Sequence, residues 1–314
     1  MSTLEPGISV VIPVYYAEST LASLVNQLEP VLSSLAKSYE IILVNDGSRD
    51  RSWEVIQELA AGSSTILGIN LMRNYGQHNA LLCGIRRARY QITVTMDDDL
   101  QHKPDSIPVM LAKMNEGFDV VYGSPREERH GFLRDTASVL TKVALSSVMN
   151  AQSARHVSAF RVFKTEIRNA FDSFHGPNVS IDVLLTWGTD RIGYVEVDHE
   201  SRLSGVSHYT FRKLLNHAMN LMTGFSTLPL RISTWVGFAT IFFGIGVLLY
   251  VLIRFLINGG AVPGFSFLAS IISIFAGVQL FTLGIIGEYL GRMHVRSMEK
   301  PSYVIHSTSD HKNE

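Results

Sequence analysis

The 314-residue chain balances 27 Lys+Arg against 28 Asp+Glu, a net charge of -1 that argues against a general nucleic-acid footprint. Charged residues make up only 18%, and mean hydropathy is +0.16, on the apolar side for a soluble protein. One cysteine, Cys83, excludes an internal disulfide framework and any cysteine-based zinc or iron–sulfur site.

Short β-branched runs alternate with stretches of helical period over the first two hundred residues. Ile8–Val14, Glu40–Val44, Ile66–Leu71, Ile92–Met96 and Asp119–Tyr122 read as strands. Leu21–Leu35, Trp53–Ala60, Gln77–Arg89 and Ile107–Met114 read as helices. This alternation predicts an α/β domain, a mostly parallel sheet flanked by helices on both faces. No signal peptide is expected, because Met1–Pro6 lacks a basic region ahead of Ile8–Val14. His208–Ser226 places Phe211, Leu214, Leu215, Met219 and Met222 at helical spacing. It reads either as an amphipathic helix on a membrane surface or as a core-packed helix.

The apolar excess is concentrated further on. Ile232–Ile253 and Gly264–Gly287 contain no charged residue. A helix of the first length spans roughly 33 Å, enough to cross a bilayer. Arg212, Lys213 and Arg231 precede the first run, and Arg292, Arg296 and Lys300 follow the second. The turn between them has no Lys or Arg, so both ends are expected in the cytoplasm and the turn outside. Arg254 can snorkel to the outer interface. Four segments follow from this reading: a catalytic domain over 1–207, a juxtamembrane helix over 208–230, a two-helix transmembrane hairpin over 231–291 and a cytoplasmic tail over 292–314.

Polar residues interrupt the strands at informative places. The first strand ends in Pro13-Val14-Tyr15, the second in Asn45-Asp46-Gly47-Ser48 and the fourth in Asp97-Asp98-Asp99. In a parallel sheet all three lie on the carboxyl edge, where open α/β folds bind ligands. No Gly-x-Gly-x-x-Gly follows the first strand and no Walker A sequence occurs, so dinucleotide and P-loop readings fail. If the chain stays extended, Asp97 and Asp99 point one way and Asp98 the other. Mutually repelling carboxylates of this kind suit Mg²⁺ or Mn²⁺, held by one or two of them and by ligand phosphates.

Val11-Ile12-Pro13-Val14-Tyr15, Val44-Asn45-Asp46-Gly47-Ser48, Arg73-Asn74-Tyr75-Gly76-Gln77 and Asp97-Asp98-Asp99-Leu100-Gln101 stand in this order. The order resembles the signature of family 2 glycosyltransferases. With the hairpin it is similar to the polyprenyl-phosphate glycosyltransferases, most closely those that transfer aminoarabinose to undecaprenyl phosphate. The resemblance implies a GT-A-like fold and an inverting transfer from a nucleotide sugar, UDP-linked, to a polyprenyl phosphate. It also implies that Pro13 and Tyr15 border the nucleotide, that Asp46 hydrogen-bonds uracil, and that Glu18 and Asp98 lie near them. Asp97 and Asp99 match the Asp-x-Asp metal site, Asp99 favoured as direct ligand with Gln101 behind it. Arg73, Arg126, Arg129, Arg202, Ser207 and His208 match positions where sugar and phosphates are expected, with Asp97, Asp99, Arg126 and Arg202 forming the catalytic set.

Three positions depart from the family pattern. Tyr-Asn-Glu is Tyr15-Tyr16-Ala17, the Lys of Gly-x-Ser-Lys-Tyr is His208, and the Asp of Gly-Asp-Phe-Arg is Ala159. These departures leave open a catalytically silent lipid-carrier-binding scaffold. A processive polysaccharide synthase needs a Gln-x-x-Arg-Trp motif, and Trp53, Trp187 and Trp235 sit in no such context. The sugar is not legible, and Gly237, Gly244 and Gly246 would permit close packing into a homo-oligomer.

Overall fold

The computed structural model describes residues 4–125, 156–176, 179–198, 227–258 and 264–309. They fall into two compact units, Met1–Ala218 with Glu299–Glu314, and Met219–Met298.

The first unit is built on eight strands: β1 (Glu5–Val14), β2 (Tyr39–Asn45), β3 (Ile66–Leu71), β4 (Tyr90–Thr95), β5 (Val120–Pro125), β6 (Arg161–Lys164), β7 (Ile192–Val197) and β8 (Ile305–Thr308). They form one sheet in the order β7-β5-β6-β4-β1-β2-β3-β8. The pairs β1/β2, β1/β4, β2/β3 and β5/β7 are parallel. β6 runs antiparallel to both β4 and β5, and β8 runs antiparallel to β3. The sheet is therefore mixed. The sequence reading located β1 to β5 and missed β6, β7 and β8; β6 and β8 are four-residue strands too short to show a period.

Ile8–Val14 and Ile41–Val44 are buried without alternation, as strands covered on both faces must be. Helices α1 (Leu21–Leu35), α2 (Ser52–Gly62), α3 (Gln77–Arg87), α4 (Ile107–Met114) and α5 (Ile181–Leu185) supply the cover. α1 buries Leu21, Leu24, Val25, Leu28 and Leu32, a stripe at i, i+3, i+4, i+7 and i+11. α3 lies close on the sheet because Gly84 faces Val11 and Val44, and any Cβ there would overlap the Val11 side chain. That packing aims the start of α3, at Gln77, toward the carboxyl edge of β1 and β2.

The second unit holds two long helices, α6 (Leu228–Asn258) and α7 (Phe265–Ser297). Leu228–Ile257 and Ile274–Ser297 have mean hydropathies of 2.5 and 1.4, long and apolar enough to be candidate membrane spans. Trp235, Phe242, Leu256 and Leu280 are exposed on them. α6 and α7 meet where Phe275 lies over Gly244. At 1.5 Å per residue α7 is about 50 Å long, more than a bilayer core requires. It continues past Gly287 through Glu288 and Arg292, paired at 2.7 Å one turn apart. The predicted juxtamembrane helix lies almost wholly outside the described residues.

Candidate active site

The loops after β1, β2, β3 and β4 meet at the carboxyl edge of the central strands. The first follows β1. Pro13 is a residue that ordinarily breaks a ladder, yet it sits in a strand with neighbours on both sides. Val11 offers its carbonyl to Met96, on the β4 side. By alternation, Pro13 turns its nitrogen the same way. There the β1/β4 register stops at Val11↔Thr95, while β1/β2 continues to Val14↔Asn45. No ladder bond is lost. Beyond it, Tyr16 adopts φ 55°, unusual for a bulky residue. Tyr15 and Tyr16 are half-exposed, with rings edge to face at 4.6 Å.

The second loop follows β2 and zips onto the first. Tyr16 N–H donates to Ser48 Oγ at 3.1 Å and Ala17 N–H to Ser52 Oγ at 2.9 Å. Glu18 accepts the Arg51 N–H at 2.9 Å, just ahead of α2, whose first turn carries unsatisfied donors. Asp46, 2% exposed, accepts Tyr75 N–H at 2.7 Å on one oxygen and Gly76 N–H at 2.8 Å on the other. Burial raises its pKa above 3.8, and the two backbone donors oppose that rise. Gly47, at φ 68°, admits the third strand's loop, since a Cβ there would sit 2.5 Å from the Arg73 carbonyl carbon. Asn45 Nδ2 donates to Asn70 Oδ1 at 2.8 Å, tying β2 to β3. The Arg73 guanidinium lies 4.6 Å from the Tyr75 ring centroid.

The loop after β4 carries the acids. β4 ends at Thr95, one residue short of expectation, and the chain bends over Asp98–Leu100, with Leu100 at φ 59°. Strand alternation therefore does not decide where these side chains point. Instead each carboxylate has its own partner. Asp97 accepts from Gln77 Nε2 on α3. Asp98 accepts Tyr15 N–H at 3.0 Å, and Asp99 accepts Gln101 N–H at 3.2 Å. Beside this loop Thr95 Oγ1 donates to the carbonyl of Ala159 at 3.0 Å.

The structure thus brings together Pro13, Tyr15, Glu18, Asp46, Arg73, Asp97, Asp98, Asp99 and Gln101 on adjoining loops. Arg126, Arg129, Arg202, Ser207 and His208 lie outside the described residues. The reading from sequence missed Gln77, which ties α3 to Asp97, and the Tyr75 and Gly76 amides that hold Asp46. The visible signal was the Arg73-Asn74-Tyr75-Gly76-Gln77 motif, in which only Arg73 was given a role. It also missed a buried triad: Arg161 pairs with Asp182 at 3.2 Å, and Tyr122 Oη donates to Asp182 at 3.1 Å.

Among the described residues no group of three or more His, Cys, Asp or Glu is placed to hold a metal ion. Two carboxylates on one short loop, Asp97 and Asp99, leave most coordination positions open. That donor set fits Mg²⁺ or Mn²⁺ completed by phosphate oxygens and water, and does not fit an all-protein cage.

The family model for glycosyl transferase family 2 matches residues 9–169. An undecaprenyl-phosphate 4-deoxy-4-formamido-L-arabinose transferase from Shewanella sediminis is 34% identical over 301 residues, 95% of this chain and 91% of the relative. The enzyme of the same name from Aeromonas hydrophila is 34% identical over 304 residues, 95% and 93% of the two chains. Among solved structures, glucosyl-3-phosphoglycerate synthase from Mycobacterium tuberculosis, in complex with Mn²⁺, UDP and glucosyl-3-phosphoglycerate, superposes with a TM-score of 0.51. It is 19% identical and covers 69% of this chain and 78% of its own. That likeness concerns the fold.

Proposed function

Since the chain belongs to glycosyl transferase family 2, we propose that it transfers a sugar from a UDP-sugar to a polyprenyl phosphate such as undecaprenyl phosphate. The transfer inverts the anomeric centre and takes place at the cytoplasmic face of the membrane. The observation that carries this reading is the rim: an acid loop tied by Asp98 to Tyr15 and by Asp97 to Gln77, beside the buried Asp46. The names of the 34%-identical relatives support the acceptor, and the UDP and Mn²⁺ of the structural neighbour agree with the donor and the ion.

Pro13, Tyr15, Asp46 and Asp98 border the nucleotide, with the exposed Tyr15 and Tyr16 rings offering faces for a base. Asp97 and Asp99 would hold the divalent ion, which when bound neutralises charge on the departing diphosphate. Arg73, Arg126, Arg129 and Arg202, with Ser207 and His208, bind phosphate and sugar oxygens. A lipid monophosphate has a second pKa of about 6, so at neutral pH it is already largely an anionic nucleophile. Ala159 in place of a carboxylate is then tolerable, because no proton need be removed. A phosphate oxygen bonds to C1 as the C1–O bond to the diphosphate breaks, turning an α-linked donor into a β-linked lipid phosphate.

Chain connectivity supports the topology. β8 lies in the same sheet as β1–β7, and α6 and α7 come between. Two crossings return the chain to the side it left. The basic flanks place that side in the cytoplasm.

The test uses purified protein in detergent with Mg²⁺ or Mn²⁺, undecaprenyl phosphate and a panel of radiolabelled UDP-sugars. Label enters the organic phase from one donor, and EDTA stops it. Asp99→Ala lowers transfer by about 100-fold or more while the fold is kept, a loss typical of removing a group that acts in the transition state. Near-normal transfer by that variant would remove the metal role from Asp99.

A further inference from the structure

The chain beyond α7 is fastened back onto the first unit at points that support the candidate site. β8 extends β3 with Ile69↔Thr308, Asn70↔Ser307 and Leu71↔Ile305 in register. Ser309 N–H donates to Gly68 O at 2.9 Å, and Gly68 N–H donates to Ser309 Oγ at 2.7 Å. Val304 O accepts the N–H of Met72 at 3.0 Å, immediately ahead of Arg73. Upstream of the strand, Ser302 is 4% exposed. Its hydroxyl donates to Gly176 O at 2.8 Å and accepts Gly176 N–H at 3.3 Å, serving both backbone groups of one residue.

Gly176 precedes a segment that matters to the rim. Ile181 N–H donates to His78 Nδ1 at 3.3 Å, on the first turn of α3 beside Gln77. Asp182, buried on α5, holds Arg161 and Tyr122. Arg161, 2% exposed, donates through Nε and Nη2 to Ser158 O at 3.1 and 2.9 Å. The following carbonyl, Ala159, takes the Thr95 hydroxyl, two residues before Asp97. A buried carbonyl and N–H left without partners cost free energy and invite rearrangement. A hydroxyl, donor and acceptor at once, is the smallest side chain that satisfies both.

We propose that Ser302 is a positioning residue for the transfer site. Its hydroxyl staples Gly176, and through Ile181, Asp182 and Arg161 it holds the Ser158–Ala159 turn against the acid loop. This rests on the transfer reading above. The residue sits five positions beyond the last residue of α7, so the segment that emerges from the candidate membrane helix is itself part of the site's support.

The test compares full-length Ser302→Ala, Ser302→Thr and Ser302→Cys in detergent, by hydrogen–deuterium exchange and by transfer kinetics. In Ser302→Ala, amides 179–185 exchange faster while those of β1 do not. Its kcat falls about tenfold with KM for the nucleotide sugar within about twofold, as expected when reacting groups are misaligned and binding is kept. Ser302→Thr restores both. Should the alanine variant not fold, Ser302→Cys, a weak hydrogen bonder, shows the same pattern in smaller measure. Wild-type exchange at 179–185, or faster exchange with unchanged kcat, overturns the proposal. Absence of transfer by the wild type overturns the function instead, and exchange still decides whether Ser302 holds the segment.

Discussion

Asp46 is a buried carboxylate satisfied by backbone rather than by a cation. Each oxygen takes one amide of the Tyr75–Gly76 turn, and burial raises its pKa against their pull. Asp46→Asn keeps the shape but turns an amide NH₂ toward one of those donors. The expected result is a loss of about 1–3 kcal/mol, the usual cost of an unsatisfied buried donor, read from the urea midpoint. The donor KM rises with it, because the loop carrying Arg73 loosens. That Asp46 is polar and stands at a strand end was legible in the sequence. Its partners were not, since they come from residues about thirty positions away. Glu18, exposed and expected near the nucleotide, receives the Arg51 amide, a partner thirty-three positions away that its acidity does not announce.

At the scale of elements, two helices close each other's ends. Arg86 of α3 donates through Nη2 to the carbonyls of Asp172 and Phe174, at 2.8 and 2.7 Å, just past the 3₁₀ helix Thr165–Phe171. Arg168 of that helix donates through Nη1 to Ile85 and Ala88, at 3.1 and 2.5 Å, at the end of α3. Helix carbonyls left over at a C-terminus favour such cations. Arg168→Met keeps much of the stem and removes the donors. It is expected to cost about 1.5–3 kcal/mol, the range for hydrogen bonds from a charged group, measured by denaturant unfolding. α1 and α4 were legible to the residue because each carries a clean apolar stripe. β6 was not, because four residues carry too little pattern. It forms because Arg161–Lys164 meets a free edge of β4 on one side and β5 on the other.

Two predictions belong to the whole molecule. Asp119 is buried, which by itself would raise its pKa. Hydrogen bonds from Lys164, Thr189 and Arg191 and the Lys164 charge outweigh this and hold it down to about 2, from 3.8. A carboxyl depressed by folding stabilises the folded state above its unfolded pKa and loses that contribution as pH falls through the folded one. Stability should therefore fall from about pH 4 toward pH 2, and Asp119→Asn should flatten the thermal midpoint over that window. The second concerns topology. Cys83 is fully buried with its thiol pushed up to about 12, burial being the main cause, so the native chain is silent to maleimides. Gly260→Cys is then expected to react with an impermeant maleimide in intact cells. Glu314→Cys should react only after permeabilisation, and labelling of both in intact cells would refute the hairpin.

By itself the sequence determined what depends on local composition and period: an α/β domain, most of its parallel strands, two apolar helices, and polar residues gathered at three strand ends. These are properties of single segments, set by burial period and by which side chains a bilayer or a core accepts. Tertiary structure decided everything that needs two distant segments at once. It bent the acid loop at Asp98–Leu100 and gave each carboxylate a separate partner, where an extended chain would have alternated them. It also drew the residues after α7, which read as a tail, into the sheet as β8 and set Ser302 on Gly176. A strand edge or an orphaned backbone group is satisfied by whatever the fold brings to it, and no local pattern records that partner.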